Sequence, residues 1–134
     1  MDKPKVLVVG SINYDLIFSA PVGKEMVLNG CLVFNEMGTF LGGKGSNQAV
    51  ALRKLGADVS LVGAVGNDDI GSQIIKELEK NGVNIENVVR IGDVSTGTSA
   101  IFNMDSRGYY GTNVLGANSR LLPDLVETAF EREL

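Results

Sequence analysis

Short apolar runs alternate along the chain with longer segments in which apolar residues recur at helical spacing. The runs Lys5–Val9, Val59–Val65 and Asn87–Ile91 are rich in β-branched residues, which is typical of buried strands in a parallel sheet. The helical spacing predicts helices over Gly45–Leu55 and Ile70–Lys80, and a glycine follows each of them where a helix would end. Alternating strands and helices predict a doubly wound, mostly parallel α/β sheet.

The starts of the later helices carry local signals. Asn67 or Asp68 can cap the second helix with a side-chain oxygen, and Pro123 suits the first turn of a last helix. The sequence stops at Glu131–Leu134 within that helix, so we expect a fragment, the product of a truncated gene prediction, or a chain whose second half is absent. The residues of the last helix expected to face inward are Leu125, Val126, Ala129 and Phe130.

Two segments have β-like patterns instead. Leu16–Leu41 alternates apolar and polar residues between turn signals, which predicts two or three strands at a sheet edge. Thr98–Phe102 and Tyr109–Val114, joined by a turn at Asp105–Gly108, predict a hairpin. We expect the segments 16–41 and 97–114 to form one small sheet that covers a site on the α/β body as a lid. The apolar residues that favour pairing of this lid with a second copy of the chain, as a homodimer, are Val33, Phe34 and Phe40.

Composition limits the classes of function. The 134 residues are 44% hydrophobic and 21% charged, as in an ordinary globular domain that can bury a core. The net charge of −4 gives no basic patch for nucleic acid and disfavours binding to an anionic membrane. The sequence has no apolar run near the roughly 20 residues that span a bilayer.

The cysteine and histidine content limits the catalytic and metal-binding sites that the chain can form. The single cysteine, Cys31, allows no internal disulfide, which favours a reducing cytoplasm. We interpret Cys31 as a small packed hydrophobic residue. The chain has no histidine, which excludes a Ser-His-Asp triad and histidine-ligated zinc within these residues.

The most informative motif is the run Gly42–Ala49, in which glycines flank one lysine ahead of a helix. Glycine lets the backbone approach a ligand closely, and a helix N-terminus presents unpaired N–H groups and a partial positive charge. Lys44 adds a mobile full charge with three donors. The run indicates a site for a polar or anionic small molecule, although a tight strand-to-helix turn would need the same glycines for its geometry alone.

Asn13 and Asp15 point to the same site. We expect them just past the end of the first strand, where open α/β sheets bind ligands, and their spacing lets both side chains face the same way. A carboxylate can accept from two hydroxyls, and an amide both donates and accepts. The pair therefore fits a polyol better than a phosphate; its alternative role is an Asx-type turn that satisfies its own backbone.

The segment Gly38–Lys44 nearly matches a phosphate-binding P-loop. Gly45 stands where that loop requires a serine or threonine for magnesium, and a long stretch of chain separates the segment from the first strand. We therefore favour the polyol site. A dinucleotide-binding turn is disfavoured too, because no Gly-x-Gly-x-x-Gly follows Val9.

Several motifs together resemble a known family. They are, in chain order, Gly10–Asp15, Gly42–Ala49, Gly63–Asp68, Thr96–Gly97 and Gly116–Asn118. In this order they resemble the N-terminal part of the ribokinase family, the phosphofructokinase-B-type carbohydrate kinases, over essentially the whole chain. The pair of Asn13 and Asp15 and the Lys-Gly-Ser-Asn run resemble the ribokinase branch more than fructokinases or adenosine kinases. The resemblance implies a ribokinase-like, Rossmann-like α/β fold with a small β-sheet lid.

The resemblance also implies a function. A sugar hydroxyl, of ribose or a related pentose or hexose, would be phosphorylated by ATP with Mg²⁺. The family's second signature, which carries the catalytic aspartate, is missing from this sequence, as is its acidic magnesium motif. The catalytic base and the nucleotide site are therefore expected in a C-terminal half that this chain lacks. The substrate contacts implied here are Asn13, Asp15, Gly43, Lys44, Asn47, Ser99 and Ile101.

Two departures from the family pattern carry expectations of their own. The family's Pro-x-x-Gly-Glu-Thr appears as Pro21–Met26, so the lid edge is expected to differ, and the bulky Tyr14 is expected to point away from the sugar. The alternative to a kinase is a non-catalytic module that binds a sugar or a partner through the same sheet.

Overall fold

The computed structural model describes residues 2–20, 26–103 and 108–133. The strands are β1 (Lys5–Val9), β2 (Asn13–Ser19), β3 (Met26–Leu28), β4 (Cys31–Val33), β5 (Glu36–Gly42), β6 (Asp58–Gly66), β7 (Val88–Ile91), β8 (Gly97–Asn103) and β9 (Tyr109–Val114). The helices are α1 (Lys44–Lys54), α2 (Asp69–Lys80) and α3 (Pro123–Glu133), with a short 3-10 helix over Gly116–Arg120. Residues Pro21–Glu25 of the divergent lid edge and Asp105–Arg107 of the predicted turn lie outside the described residues.

The body is a parallel sheet in the order β1-β6-β7. β6 is its buried strand, because every residue from Val59 to Gly66 is buried. α2 packs Ile74 and Leu78 into the same core cluster as Leu61. Apolar residues at a helical period therefore meet a strand that is apolar on both faces, as the sequence pattern predicts, and the α/β class is confirmed.

A second sheet, here called the lid sheet, has the order β5-β2-β8-β9. β8 and β9 form the predicted antiparallel hairpin, and β2 pairs with β5 antiparallel and with β8 in parallel. The predicted segment boundary at Leu16 is wrong, because β2 already begins at Asn13. The predicted two or three strands are four, of which β3 and β4 form a separate two-stranded ribbon.

The four strands of the lid sheet join the body along one row of residues. Asn13 starts β2 and pairs with Gly42, the last residue of β5, and with Gly97, the first residue of β8. Val114 ends β9 and pairs with Thr98 in the next position. The lid sheet therefore extends away from the body from a single line.

Asp68 connects this row to the body. Its Oδ1 accepts hydrogen bonds from the N–H of Gly71 at 2.7 Å, as the cap of α2, and from Thr96 Oγ1 at 2.6 Å. Its Oδ2 accepts from the N–H of Thr96 at 2.9 Å, and Thr96 Oγ1 accepts from the N–H of Gly66 at 2.9 Å. Burial raises the pKa of Asp68, but the hydrogen bonds from Thr96 and Gly71 together outweigh burial and hold that pKa below its usual value.

Two expectations about burial are wrong. Phe130 of α3 is 54% exposed, and only Ala129 of the inward set is fully buried. Phe130 borders an open groove of about 470 Å³ beside β1, and within the described residues the parallel sheet has no strand beyond β1. Cys31 is exposed because it lies in the β3-β4 ribbon, and a two-stranded ribbon has too little surface to bury a residue.

No helix in the parts of the chain that the structure describes is both long enough and apolar enough to cross a membrane.

Candidate functional site

Four of the candidate residues lie on one face of the lid sheet. Asn13 and Asp15 occupy alternate positions of β2, and Asp15 pairs with Ser99 of β8 in the parallel register. Ile101 follows two positions later on β8, so its side chain shares this face. Asn13 and Asp15 follow the end of β1, as expected, but they belong to the next strand, β2. The prediction that they face the same way is confirmed.

Tyr14 lies between them and points to the other face. It packs against the core cluster of the body, as alternation along a strand requires. The bulky ring is thereby kept away from Asn13 and Asp15, which agrees with the expectation from the sequence.

Asp15 is the least satisfied group on this face. Its Oδ1 is buried and has no hydrogen-bond partner among the described residues. Its carboxylate fills the space that a Cβ atom on Gly42 would occupy. Because an unpaired buried carboxylate oxygen costs free energy, a ligand hydroxyl at this point would restore a missing hydrogen bond.

A hydrogen-bonded polar cluster surrounds Asn13, which is only 8% exposed. Asn13 Nδ2 donates to Ser99 Oγ at 3.2 Å, and Ser99 Oγ donates to Asn113 Oδ1 at 3.2 Å. Asn13 Oδ1 accepts from Asn118 Nδ2 at 2.9 Å. Sequence reasoning missed Asn113 and gave no role to Asn118, although the motif Gly116–Asn118 marked the second.

The glycine-rich run packs backbone against backbone. Gly43 precedes α1 with φ 91, and a Cβ atom there would lie 2.8 Å from the N atom of Asn13. A Cβ atom on Gly10 would lie 2.9 Å from the Cα of Gly45. These glycines are therefore needed for the close approach of α1 to the turn that leads into β2.

The N-terminus of α1 is less open than the sequence suggests. The N–H of Lys44 donates to Ser11 Oγ at 3.0 Å, and the N–H of Ser46 donates to the carbonyl oxygen of Ser11 at 3.2 Å. The expectation of unpaired N–H groups is wrong for these two, because Ser11, in the turn between β1 and β2, accepts hydrogen bonds from both.

The structure does not bring the side chains of Lys44 and Asn47 into the cluster. Both are exposed in the first turn of α1, and Asn47 borders a cavity of about 330 Å³ with Leu41 and Glu77. The glycine-rich run follows β5 of the lid sheet and not a strand of the parallel sheet. That connection excludes the P-loop interpretation.

The chemistry available on this face is hydroxyl recognition. Asp15 supplies an acceptor, Asn13 supplies a donor, and Ile101 supplies an apolar side chain beside them. Within the ranges that the structure describes, no cluster of three or more Asp, Glu, Cys or His side chains could hold a metal ion.

An α/β body with a parallel sheet and a separate mixed lid sheet defines the ribokinase-like class of folds, and solved structures agree. The ribokinase of Giardia lamblia superposes with a TM-score of 0.81 at 28% identity, over 98% of this chain and 42% of that one. The ribokinase of Arabidopsis thaliana, solved with ribose and ATP, superposes with a TM-score of 0.72 at 30% identity, over 88% of this chain and 38% of that one.

Sequence comparison gives the family. The profile of the pfkB family carbohydrate kinases matches residues 3–133, and the chain therefore belongs to the pfkB family. The ribokinase of Bacillus subtilis is 34% identical over 95% of this chain and 42% of its own length. The ribokinase of Schizosaccharomyces pombe is 41% identical over 72% of this chain and 31% of its own. This chain thus spans less than half the length of these relatives.

Proposed function

We propose that the protein containing this chain phosphorylates a sugar hydroxyl at the expense of ATP, with ribose or a related pentose or hexose as the substrate. Family membership supports a carbohydrate kinase in general. The observation that carries the choice of site is the buried Oδ1 of Asp15, which has no partner among the described residues and lies on the same face as Asn13 and Ser99.

In this proposal the chain supplies sugar positioning. Asp15 accepts from one or two sugar hydroxyls and Asn13 donates to a sugar oxygen, while Ser99 and Ile101 contact the sugar from β8. The backbone at Gly43 and the side chains of Lys44 and Asn47 complete the contacts when the lid sheet and α1 enclose the sugar. Phosphoryl transfer depends mostly on positioning and charge stabilisation, so a correctly held hydroxyl is a large part of catalysis.

The described residues contain no cluster of three or more Asp, Glu, Cys or His side chains, and no step of the reaction is assigned to a metal held by them. ATP and Mg²⁺ are proposed to bind to the region of the full-length protein that corresponds to the part of its relatives not matched by this chain. In the Bacillus subtilis ribokinase that part is about three fifths of the sequence. The catalytic base is proposed to lie there as well. The lid sheet would exclude water, which would otherwise compete for the phosphoryl group.

The apolar face of the lid sheet supports a homodimer. Phe18, Phe34 and Phe102 form one aromatic cluster, with ring centroids 5.3 to 6.0 Å apart. An open groove of about 420 Å³ continues from this cluster along Leu32 and Met37. We propose that a second lid sheet covers this face. The proposed compartment is the cytoplasm, where the exposed Cys31 would stay reduced.

Phosphoryl transfer to a panel of sugars tests the proposal. The full-length protein encoded by the gene is incubated with ATP, Mg²⁺ and single pentoses or hexoses, and ADP release and the phosphorylated sugar are measured. Sugar-dependent ADP formation is the expected result for the full-length protein. The 134-residue chain alone is expected to give none, since it lacks the catalytic-aspartate motif. Turnover by the 134-residue chain, with mass spectrometry excluding a longer kinase as a contaminant, would contradict the proposal that the catalytic residues lie outside this chain.

The alternative is a non-catalytic module that binds a sugar or a partner through the same face. The polar cluster is already assembled within this chain, which favours some binding without the rest of a kinase. Calorimetry of the full-length protein with ribose separates the two functions. Ribose binding without ADP formation would favour the module.

A further inference from the structure

We propose that Asn118 is a positioning residue. It fixes the orientation of the Asn13 amide and thereby determines whether Asn13 donates or accepts a hydrogen bond on the sugar-binding face. This inference rests on the proposed function for its meaning, but its geometry is independent of the sugar. Asn118 lies in the 3-10 helix after β9, and no direct contact with the substrate is assigned to it.

The backbone of Ile12 fixes the orientation of Asn118 first. The N–H of Ile12 donates to Asn118 Oδ1 at 2.8 Å, and Asn118 Nδ2 donates to the carbonyl oxygen of Ile12 at 3.1 Å. A backbone N–H can only donate and a backbone carbonyl can only accept. The side-chain amide of Asn118 can therefore satisfy both groups in one orientation only.

That orientation determines the next amide. Asn118 Nδ2 lies 2.9 Å from an Asn13 side-chain atom, which must be the acceptor Oδ1. Asn13 Nδ2 is then on the opposite side, 3.2 Å from Ser99 Oγ. Its second N–H donates to Asn113 Oδ1 at 3.5 Å, a long hydrogen bond that a closer sugar oxygen can replace.

The same sequence of hydrogen-bond donors and acceptors continues through Ser99 to Asn113. Because Ser99 Oγ accepts from Asn13, its own hydrogen is free to donate to Asn113 Oδ1 at 3.2 Å. The amide of Asn113 then presents Nδ2 away from the cluster, and Asn113 is exposed. Asn118 thus makes Asn13 the donor on the face that carries the acceptor Asp15.

The glycine at position 97 leaves room for the Asn118 side chain. A Cβ atom on Gly97 would collide with Asn118 Nδ2 and would lie 2.7 Å from Asn13 Oδ1. The 3-10 helix is anchored next to this point, where the N–H of Ala117 donates to the carbonyl oxygen of Ser95 at 2.8 Å. Gly116 makes that approach with φ 51. The position of Asn118 is therefore set by backbone contacts on both sides.

A double-mutant cycle in the full-length protein tests the inference. Asn118→Asp keeps the shape and the acceptor for the N–H of Ile12, but it removes the Nδ2 donor to Asn13 Oδ1 and to the carbonyl oxygens of Ile12 and Leu115. The Asn13 amide is therefore expected to reverse. Calorimetry with ribose is expected to show about tenfold weaker binding in the wild-type background. In an Asn13→Ala background the same change is expected to have less than about a twofold effect. An equal loss in both backgrounds would show a merely structural role and overturn the proposal.

Two further variants keep the test independent of folding defects. Asn84→Asp adds the same charge while keeping the acceptor that Asn84 Oδ1 offers to the N–H of Glu86. Asn84 pairs with Ser60, near the start of β6 and far from the cluster, so this control is expected to bind ribose normally. Asn13→Asp keeps the acceptor toward Asn118, removes the donor and adds a negative charge on the face of Asp15, and binding at least about tenfold weaker is expected. Normal binding by Asn13→Asp would overturn the proposal.

A spectroscopic measurement separates this inference from the proposed function. The side-chain amide signals of Asn13 are assigned by their loss in Asn13→Ala, and they are expected to shift in Asn118→Asp but not in Asn84→Asp. Signals that do not move in Asn118→Asp would overturn the positioning role. A wild-type protein that neither binds nor phosphorylates any sugar would instead overturn the proposed function, while the expected shift would still support the role of Asn118.

Discussion

The carboxylate of Asp15 occupies the space that a side chain on Gly42 would fill. The two residues belong to neighbouring strands, β2 and β5. Gly42 lies in the row where the lid sheet leaves the body, and Asp15 lies two residues beyond that row on β2. The absence of a side chain at one position therefore sets the location of the acidic group at the other.

Gly42→Ala is expected to displace Asp15 and to weaken sugar binding by about tenfold or more, because the added Cβ atom collides with the carboxylate. Calorimetry on the full-length protein measures the effect. Gly92→Ala is the matched control, since a Cβ atom there meets nothing within 4 Å and should leave affinity unchanged. Equal affinity of the two variants would show that Asp15 does not hold the sugar.

Asp15→Asn is expected to cost about 1.5–3 kcal/mol of sugar binding, because a charge-assisted acceptor is replaced by a neutral amide. The same change is expected to leave the melting temperature of the sugar-free protein unchanged or higher, because it removes a carboxylate whose buried Oδ1 has no partner among the described residues. Calorimetry and thermal unfolding are measured on one preparation. A large drop in melting temperature would indicate a structural role for the carboxylate.

Thr96→Val is expected to destabilise the protein by about 1–3 kcal/mol, since it leaves the buried N–H of Gly66 without its acceptor and removes a donor to Asp68. Thr96 is 1% exposed, so water cannot replace these bonds. Thr96→Ser retains the hydroxyl and serves as the control. Denaturant unfolding of both variants gives the comparison, and equal stability would show that the hydroxyl contributes nothing.

Asp68 is expected to make stability depend on acid pH. Its pKa is lower in the folded than in the unfolded chain, where it is about 3.9. The stability it contributes is therefore fully present above that unfolded-state pKa and is lost as the pH falls through the lower folded-state pKa. Free energies of unfolding measured from neutral to strongly acidic pH should fall more steeply for the wild type than for Asp68→Asn. Parallel curves would disprove this origin of the pH dependence.

Two phenylalanines are expected to separate dimerisation from sugar binding. Phe34 packs at a tilt against Phe18 and stacks with Phe102 on the apolar side of the lid sheet, whereas Phe40 pairs with Asp15 and shares its face. Phe34→Glu should therefore dissociate the proposed dimer, and Phe40→Glu should weaken sugar binding without changing the mass in solution. Light scattering and calorimetry on both variants measure these outcomes. A monomeric wild type, or a dimeric Phe34→Glu variant, would contradict the proposed interface.

The sequence was sufficient for the central strand and helix of the body and for the shared face of Asn13 and Asp15. β6 and α2 follow from a run apolar on both faces and a clear helical period, and the spacing of Asn13 and Asp15 correctly placed them on one side. The start of β2 was missed because Asn13 and Asp15 are poor strand formers in isolation, and pairing with β5 and β8 overrides that preference.

Other features depend on contacts between distant parts of the chain. Asn118 reaches Ile12 across 106 positions of sequence, and no local pattern reports such a bond. Phe34 and Phe40 look equivalent as apolar residues near a sheet edge, and only the strand register shows that they serve opposite sides. The cap at the start of α1 was misjudged for the same reason, since Ser11 lies far from Lys44 in sequence.

The single row at which the lid sheet joins the body makes the sheet a lever. β2 runs from Asn13 at the row to Ser19, a length of about 20 Å at roughly 3.3 Å per residue. A rotation of about 10° about the row would carry the far end about 3.5 Å while leaving Asn13 almost in place. The polar cluster around Asn13 lies close to the rotation axis and would keep its hydrogen bonds during such a rotation. Phe34, packed against Phe18 near the free end, would travel nearly the full arc, so a partner bound there could govern the opening angle without disturbing the sugar contacts.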